Sequence, residues 1–193
     1  MSFGKVFIAA SLDGFIARED GAIDWLVPFS ELGEDHGYED FIAGVDGIVM
    51  GRATYETVLG FGEWPYTKPV VVMSRSLGDA DVPQRLRRKV RITADAPTEI
   101  ANTLQAEGWG SAYIDGGAVI RSFLAEALIG RITITLVPIL LGSGRPLFGA
   151  LGREVRLECE AVRPHRSGLV SLDYRVYHLG NGGGDTQRLS PVS

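Results

Sequence analysis

Short apolar runs recur along the chain and predict strands that are buried on both faces. They cover residues 6–10, 48–50 and 70–73, whereas residues 90–93 and 112–114 predict two further short strands. Runs of this length with little polar alternation are typical of parallel sheets that helices cover on both sides. The first part of the chain therefore favours a sheet with crossover connections.

Segments with helical spacing separate these runs. Residues 35–43, 52–58, 97–106 and 119–127 carry apolar side chains three or four positions apart. The helix over 97–106 has the clearest ends, because Pro97 and Glu99 fall in its first turn and Gly108 follows its last residue.

The last third of the chain alternates polar and apolar residues. This pattern covers residues 131–137, 155–162 and 169–178, and a turn at 166–168 joins the last two as an antiparallel hairpin. Together the patterns predict a three-layer α/β fold whose central sheet is mixed, mostly parallel, and ends in that hairpin. We expect one domain over residues 1–179 and a flexible Gly-rich tail over 180–193.

Composition and charge limit the classes of partner that we expect the protein to bind. The 193 residues are 45% hydrophobic and 22% charged with a net charge of -5, which is ordinary for a globular domain and gives no support to nucleic-acid binding. The N-terminal apolar run is too short for a membrane span or a leader, so we expect no membrane association and a cytoplasmic location. Cys159 is the sole cysteine, which excludes an internal disulfide.

The spacing of the histidines does not predict a metal site. The sequence has three of them, His36, His165 and His178, and their spacing matches no metal-ligand pattern. We expect all three at the surface or at a sheet edge.

Three strand ends carry residues suited to phosphate. Gly116-Gly117 and Gly51-Arg52 each join a strand to a helix, where exposed N–H groups and the helix dipole attract anions. Ser74-Arg75 ends the strand over 70–73 with a hydroxyl and a guanidinium. Ordinary tight turns, an arginine paired with a nearby carboxylate and plain loop residues would explain the same patterns.

The motifs, taken in order, resemble the dihydrofolate-reductase-like superfamily. Within it, the chain is most similar to the reductase domain of bifunctional riboflavin-biosynthesis deaminase-reductases and their free-standing relatives, over residues 5–177. The segment over 138–148 favours that branch over true dihydrofolate reductases. The likeness is carried by residues 11–17 (SLDGFIA), 24–26 (DWL), 49–56 (VMGRATYE), 72–75 (VMSR), 115–117 (DGG) and 138–148 (PILLGSGRPLF).

The resemblance implies an NADPH-dependent reductase that transfers a hydride to a small molecule. Two arginines near one strand edge suit the 2′-phosphate of NADPH better than a neutral ribose hydroxyl. Carried over by position, the cofactor residues are Gly51, Arg52 and Thr54 at the phosphates, Ser74 and Arg75 at the 2′-phosphate, Gly116, Gly117, Ala118 and Val119 at the pyrophosphate, and Ala10 and Ile16 beside the nicotinamide.

The same resemblance implies Trp25 and Thr135 as substrate contacts. It also brings out a departure, because dihydrofolate reductases carry an acidic residue five positions after the tryptophan, where this chain has Ser30. Asp24 and Glu31 are the remaining candidate catalytic carboxylates. Asp24 as a turn-former and Glu31 as a charge at a helix start are the alternatives.

Three functional hypotheses follow. The first is a reductase of a phosphoribosylamino-pyrimidine or similar heterocycle, as in riboflavin biosynthesis. The second is a pterin or folate reductase, which the missing carboxylate disfavours, and the third is an NADPH-binding module without turnover. The resemblance also implies a homodimer that shares the 138–148 segment and the C-terminal hairpin.

Overall fold

An eight-stranded mixed sheet forms the centre of the molecule, seen in a computed structural model that describes residues 2–30 and 33–178. The strands are β1 (Gly4–Ser11), β2 (Phe15–Ala17), β3 (Gly47–Gly51), β4 (Val70–Met73), β5 (Val90–Thr93), β6 (Ala112–Asp115), β7 (Ile129–Val137), β8 (Arg145–Pro146), β9 (Arg156–Pro164) and β10 (Val170–Tyr177). The helices are α1 (Val27–Ser30), α2 (Tyr38–Ala43), α3 (Arg52–Leu59), α4 (Pro97–Ala106) and α5 (Gly117–Ala125).

The strand order is β5-β4-β3-β6-β1-β7-β10-β9, and β2 pairs with β8 in a separate two-stranded sheet. All neighbours from β5 to β7 are parallel, whereas β10 runs antiparallel to both β7 and β9. This arrangement confirms the predicted fold class, a mostly parallel sheet with a C-terminal antiparallel hairpin.

Two apolar cores lie on opposite faces of the sheet. On one face, α4 and α5 bury Leu104 and Phe123 against β1, β6 and β7. On the other face, α3 buries Tyr55 against β3 and β4. Phe41 of α2 joins this core through ring contacts with Phe7 and Tyr113. Helices on both faces explain why these strands are apolar throughout.

Element boundaries match the sequence prediction closely at β4, β5 and α4 and shift elsewhere. Helix α5 starts at Gly117, two residues early, and ends at Ala125 because Ala127 adopts a left-handed φ of 59°. Helix α2 starts only at Tyr38, after Gly37 with φ 92°. A positive φ lies outside the helical region, so Gly37 precedes the first helical residue of α2 and Ala127 follows the last helical residue of α5.

Two predictions fall outside the described residues, namely the Gly-rich tail over 180–193 and the candidate catalytic Glu31. Within the part of the chain that the structure describes, the longest helix is α4 with ten residues, and no helix has the length and apolar character to cross a bilayer.

Candidate active site

A cavity of about 820 Å³ opens where the parallel strands end. Strands β1, β3 and β6 contribute its floor, α3 and α5 contribute their first turns, and β2 and β8 close one side. Ligands of open α/β sheets bind at the carboxyl ends of the strands, and the volume is in the range of small-molecule sites. The sequence-predicted residues in its lining are Ile16, Gly51, Arg52, Thr54, Gly116, Gly117, Ala118 and Val119.

The two strand-to-helix turns pack against each other. Gly116 has φ +87°, and a Cβ there would lie 2.4 Å from Thr54 Oγ1 at the start of α3. A Cβ on Gly51 would lie 3.1 Å from Val119 Cγ2. Packing between the turns thus requires glycine at position 116 independently of any ligand, and it holds the starts of α3 and α5 side by side.

The start of α5 presents backbone donors to the cavity. The first N–H groups of a helix have no intrahelical acceptor, and here they belong to Gly117, Ala118 and Val119. The N–H of Gly116 is already donated to Asp115 Oδ1 at 2.8 Å. The helix start can therefore hold an anion through the residues that follow Gly116.

Arg52 lies at the cavity mouth and is half exposed. Its Nε donates to Glu56 Oε1 at 2.7 Å and its Nη1 donates to Ser76 Oγ at 2.8 Å. The sequence analysis gave a pairing of this arginine with a nearby carboxylate as an alternative to phosphate binding, and the pairing with Glu56 is present. It also fixes the guanidinium where it lines the cavity.

A second hollow of about 230 Å³ adjoins the first, and Met73 lines both. Ser74, Arg75, Thr93 and Asp95 line it. Ser74 Oγ accepts the N–H groups of Ser76 and Leu77 at 3.2 and 3.0 Å, which tightens the turn after β4, and Arg75 is exposed. The hollow thus offers one guanidinium and one carboxylate, Asp95.

Asp115 is a functional candidate to which the sequence analysis gave no role. It ends β6 in the cavity wall, and burial raises its pKa from 3.8 to about 6, although the N–H of Gly116 lowers it. Tyr38, Tyr66 and Tyr113 line the same part of the cavity. Burial, reinforced by the nearby Asp115 carboxylate, raises the pKa of all three phenols, so they stay protonated. A signal existed in the sequence, because Asp115 is a carboxylate at the end of an otherwise apolar strand.

The segment over 138–148 forms a wall of the cavity by folding onto the loop after β1. Asp13 accepts the N–H groups of Leu141 and Gly142 at 3.1 and 2.8 Å, and Leu147 N donates to Gly14 O at 3.0 Å. These donors, together with Ser11 Oγ at 2.6 Å, lower the pKa of Asp13. Two motifs far apart in sequence therefore form one structural unit.

Comparisons with known proteins agree with this geometry. Residues 3–171 match the family described as the RibD C-terminal domain. The chain belongs to this family. The uncharacterized protein YwjB of Bacillus subtilis is 35% identical over 160 residues, which cover 82% of this chain and 89% of YwjB.

Solved structures extend the likeness of this RibD C-terminal domain protein. A candidate riboflavin biosynthesis protein from Shewanella sp. PV-4 is 40% identical with a TM-score of 0.84, covering 92% of this chain and all of the other. A bifunctional deaminase and 5-amino-6-(5-phosphoribosylamino)uracil reductase from Thermotoga maritima is 14% identical with a TM-score of 0.68, covering 90% of this chain and 56% of that one. The second match shows the shared fold alone.

Four of the sequence-predicted site residues of this RibD C-terminal domain protein lie away from the cavity lining. Ala10 and Trp25 are buried in the core, and Trp25 Nε1 has no hydrogen-bond partner among the described residues. Thr135 is buried and shares a 2.8 Å hydrogen bond with Ser171. Asp24 is exposed and pairs with Arg18 at 2.7 Å, and this hydrogen bond lowers its pKa.

Proposed function

We propose that this protein is an NADPH-dependent reductase that transfers a hydride to a small heterocyclic or phosphoribosylamino substrate. The observation that carries the proposal is the order of groups along the two connected hollows. The carboxyl group of Asp115 and the phenols of three tyrosines line the large cavity. The start of α5 and Arg52 line it as well, and Arg75 lines the adjoining hollow. Family membership supports a reductase of this kind.

The residues fit NADPH as a ligand. The N–H groups at the start of α5 and the guanidinium of Arg52 suit the pyrophosphate, because both are hydrogen-bond donors at the cavity and carry positive charge or partial positive charge. Arg75 and Ser74 suit the 2′-phosphate. Bound NADPH supplies the hydride from C4 of its nicotinamide, and the apolar side chains of Ile8 and Ile16 would exclude water beside it.

Asp115 is our candidate proton donor. Its Oδ1 accepts the Gly116 N–H, which leaves Oδ2 as the oxygen that can carry the proton. With a pKa of about 6, the group is protonated on about a tenth of the molecules at pH 7 and on about half of them at pH 6. As hydride adds to the electrophilic carbon of a C=N or C=O group, the π bond breaks and its heteroatom takes the proton from Asp115. The carboxylate left behind regains a proton from solvent.

The test is a paired measurement on the full chain. NADPH and NADH are titrated against tryptophan fluorescence, and oxidation of the bound cofactor is then followed with a panel that includes phosphoribosylamino-pyrimidines, free ribosylamines and dihydrofolate. We expect NADPH binding and oxidation with a phosphoribosylamino-pyrimidine. Preferred oxidation by dihydrofolate would support the pterin reductase instead. Binding without oxidation across the panel would support the non-catalytic module, and no binding would refute all three.

We also propose that the protein is a homodimer. Of eight exposed large hydrophobic side chains among the described residues, five lie in the 138–148 segment or the β9–β10 hairpin, namely Leu140, Phe148, Leu157, Val162 and Tyr177. Strand β9 is also an exposed sheet edge. Sedimentation as a monomer at micromolar concentration would contradict the proposal, and Val162→Glu should shift a dimer toward monomer.

A further inference from the structure

A half-buried group of two histidines and a glutamate lies apart from the cavity. Glu34 and His36 precede α2, and His165 follows β9. His36 Nε2 lies 3.7 Å from Glu34 Oε2, and His165 Nδ1 lies 3.9 Å from Glu34 Oε1. One ligand atom from each of the three residues falls within 4.8 Å of the other two. The fold therefore unites two segments that the sequence spacing kept apart.

The carboxylate of this group is fixed in place. Glu34 Oε1 accepts the N–H of Arg166 and Oε2 accepts the N–H of Ser167, both at 3.1 Å. Both backbone donors belong to the β9–β10 turn, so this turn holds the carboxylate in one orientation. A carboxylate held in this way faces both imidazoles with lone pairs to spare, because each oxygen can accept more than one bond.

The histidines are arranged so that a lone pair can point at the carboxylate. His165 Nε2 lies 2.8 Å from Ser171 Oγ, which in turn lies 2.8 Å from Thr135 Oγ1. Both hydroxyl residues are buried, with relative exposures of 0% and 3%. If Nε2 carries the ring proton and donates to Ser171, Nδ1 presents its lone pair toward Glu34. A metal-binding histidine usually donates its other ring N–H to an acceptor in this way, which fixes its tautomer.

We propose that Glu34, His36 and His165 form a binding site for a divalent transition-metal ion, with Zn²⁺ as the ion that the donor set favours. Two imidazoles and one carboxylate are a common zinc ligand set, with bonds of about 2.0–2.2 Å. The ion would draw the three groups closer than their present separations. Ser167 Oγ, 3.2 Å from His36 Nε2, or a water molecule would supply a fourth ligand. The site would tie the loop before α2 to the β9–β10 turn.

The imidazole rings of His36 and His165 are in direct contact and are mostly buried. Their centroids are 4.7 Å apart with an interplanar angle of 76°, which is an edge-to-face contact. The side chains of His36 and His165 are 17% and 10% exposed, so an ion bound there would be largely shielded from water.

The experiment uses the full-length chain without an affinity tag, stripped of metal with a chelator. Zn²⁺ is titrated by calorimetry and Co²⁺ by visible absorption, which reports tetrahedral coordination. Three variants replace each histidine in turn: His36→Gln, His165→Gln and His178→Gln. His178 is the matched control, because its Nε2 lies 2.6 Å from Ile129 O, far along the chain from Glu34.

We expect one equivalent of Zn²⁺ to bind, and at least about tenfold weaker binding in His36→Gln and His165→Gln but not in His178→Gln. Zn²⁺ should also raise the melting temperature of the wild type and of His178→Gln only, since an ion that binds the folded state stabilises it. Melting of the metal-free variants shows whether each one folds. Glu34→Gln should weaken binding in the same way.

Two results would overturn the proposal. One is a wild-type Kd for Zn²⁺ weaker than about 100 μM, which corresponds to marginal binding. The other is tight binding that persists in both His36→Gln and His165→Gln, because the ion would then be held elsewhere on the chain.

Discussion

The parallel and antiparallel parts of the sheet place functional groups in different ways. In the parallel part, β3, β4 and β6 are buried along nearly their whole length and each ends in a short turn that carries its own polar groups. In the antiparallel part, β9 is exposed along nearly its whole length, and His165 after its end meets Glu34 and His36 from the loop before α2. In the parallel part, the polar residues of each turn are neighbours in the sequence. In the antiparallel part, the polar residues of this group come from segments that are far apart in the sequence.

This difference has a physical cause. Parallel strands bring all their carboxyl ends to one edge, so turns that are each encoded by a few consecutive residues automatically become neighbours. An antiparallel hairpin has no such shared edge, and its side chains meet whatever loop happens to cover them. Changes in the parallel part should therefore affect cofactor binding and turnover, whereas changes in the antiparallel part should affect stability and metal binding.

The largest expected effect in the parallel part is that of Asp115→Asn. If Asp115 donates the proton, kcat should fall by about 100-fold or more, because general acid catalysis contributes about 10²–10⁴-fold. Wild-type kcat/KM should also decline as pH rises above about 6, the pKa of Asp115, and the variant should lose this limb. Steady-state kinetics from pH 5 to 9 at about one-unit steps check both points. Unchanged kcat would remove Asp115 from the mechanism.

Stability provides the control for this variant. The folded-state pKa of Asp115 is raised from 3.8 to about 6, so the folded protein binds more protons than the unfolded chain between these values. Its free energy of unfolding must fall as pH rises through this window, by about 3 kcal/mol at most. Asp115→Asn should escape that loss and be the more stable protein at pH 8, as chemical denaturation would show. A variant less stable than the wild type at pH 8 would contradict the raised pKa of Asp115. A variant that is still folded at the assay pH shows that its lost activity is not a loss of folding.

The next largest effect concerns the contact between the two glycine turns. Gly116→Ala forces a positive φ on alanine and places its Cβ 2.4 Å from Thr54 Oγ1, whereas Gly108→Ala, with φ +95°, meets nothing within 4 Å. Both should lose about 1–3 kcal/mol of stability because alanine is strained at a positive φ, and Gly116→Ala should lose about 1–3 kcal/mol more from overpacking. Urea denaturation measures the difference. Adding Thr54→Ala should recover most of the excess, and a failure to recover it would show that the clash is not the cause.

A smaller effect is expected at the hollow beside Met73. Arg75→Ala should weaken NADPH binding about tenfold, or about 1.4 kcal/mol, with no change for NADH. Asp95→Asn should act in the opposite sense, because it removes a negative charge from the same hollow. Fluorescence titration of both cofactors measures each change. Arg88→Ala, which removes an equal charge at an exposed position elsewhere, is the control and should leave both affinities unchanged.

The sequence was sufficient for most of the parallel part. Residues 70–73, 90–93 and 97–106 have the predicted bounds, and the turns at Gly51 and Gly116 meet at one cavity. These features depend on short-range patterns that local physics decides. Asp115 was visible as a polar residue at a strand end, but its raised pKa depends on burial within a cavity whose other walls come from distant segments.

The antiparallel part was predicted as a hairpin but not as a site. The histidines were expected at the surface or at a sheet edge. Because His36 and His165 are far apart in the sequence, their spacing did not predict that their ring centroids lie 4.7 Å apart. Thr135 was expected to face the substrate, yet it points into a buried contact with Ser171. Contacts of this kind depend on the packing of loops and on register, neither of which a local pattern encodes.

The smallest expected effect tests Thr135 itself. In Thr135→Val, the hydroxyl of Ser171 keeps His165 as a partner at 2.8 Å, so the loss of one neutral hydrogen bond should cost only about 1 kcal/mol of stability. Ser171→Ala should cost more, about 1–3 kcal/mol, because it leaves both Thr135 and His165 without this partner. Neither change should alter NADPH affinity. If Thr135→Val instead raises the KM for the substrate while stability stays unchanged, Thr135 contacts the substrate. The division between a catalytic parallel part and a structural antiparallel part would then be wrong at this strand.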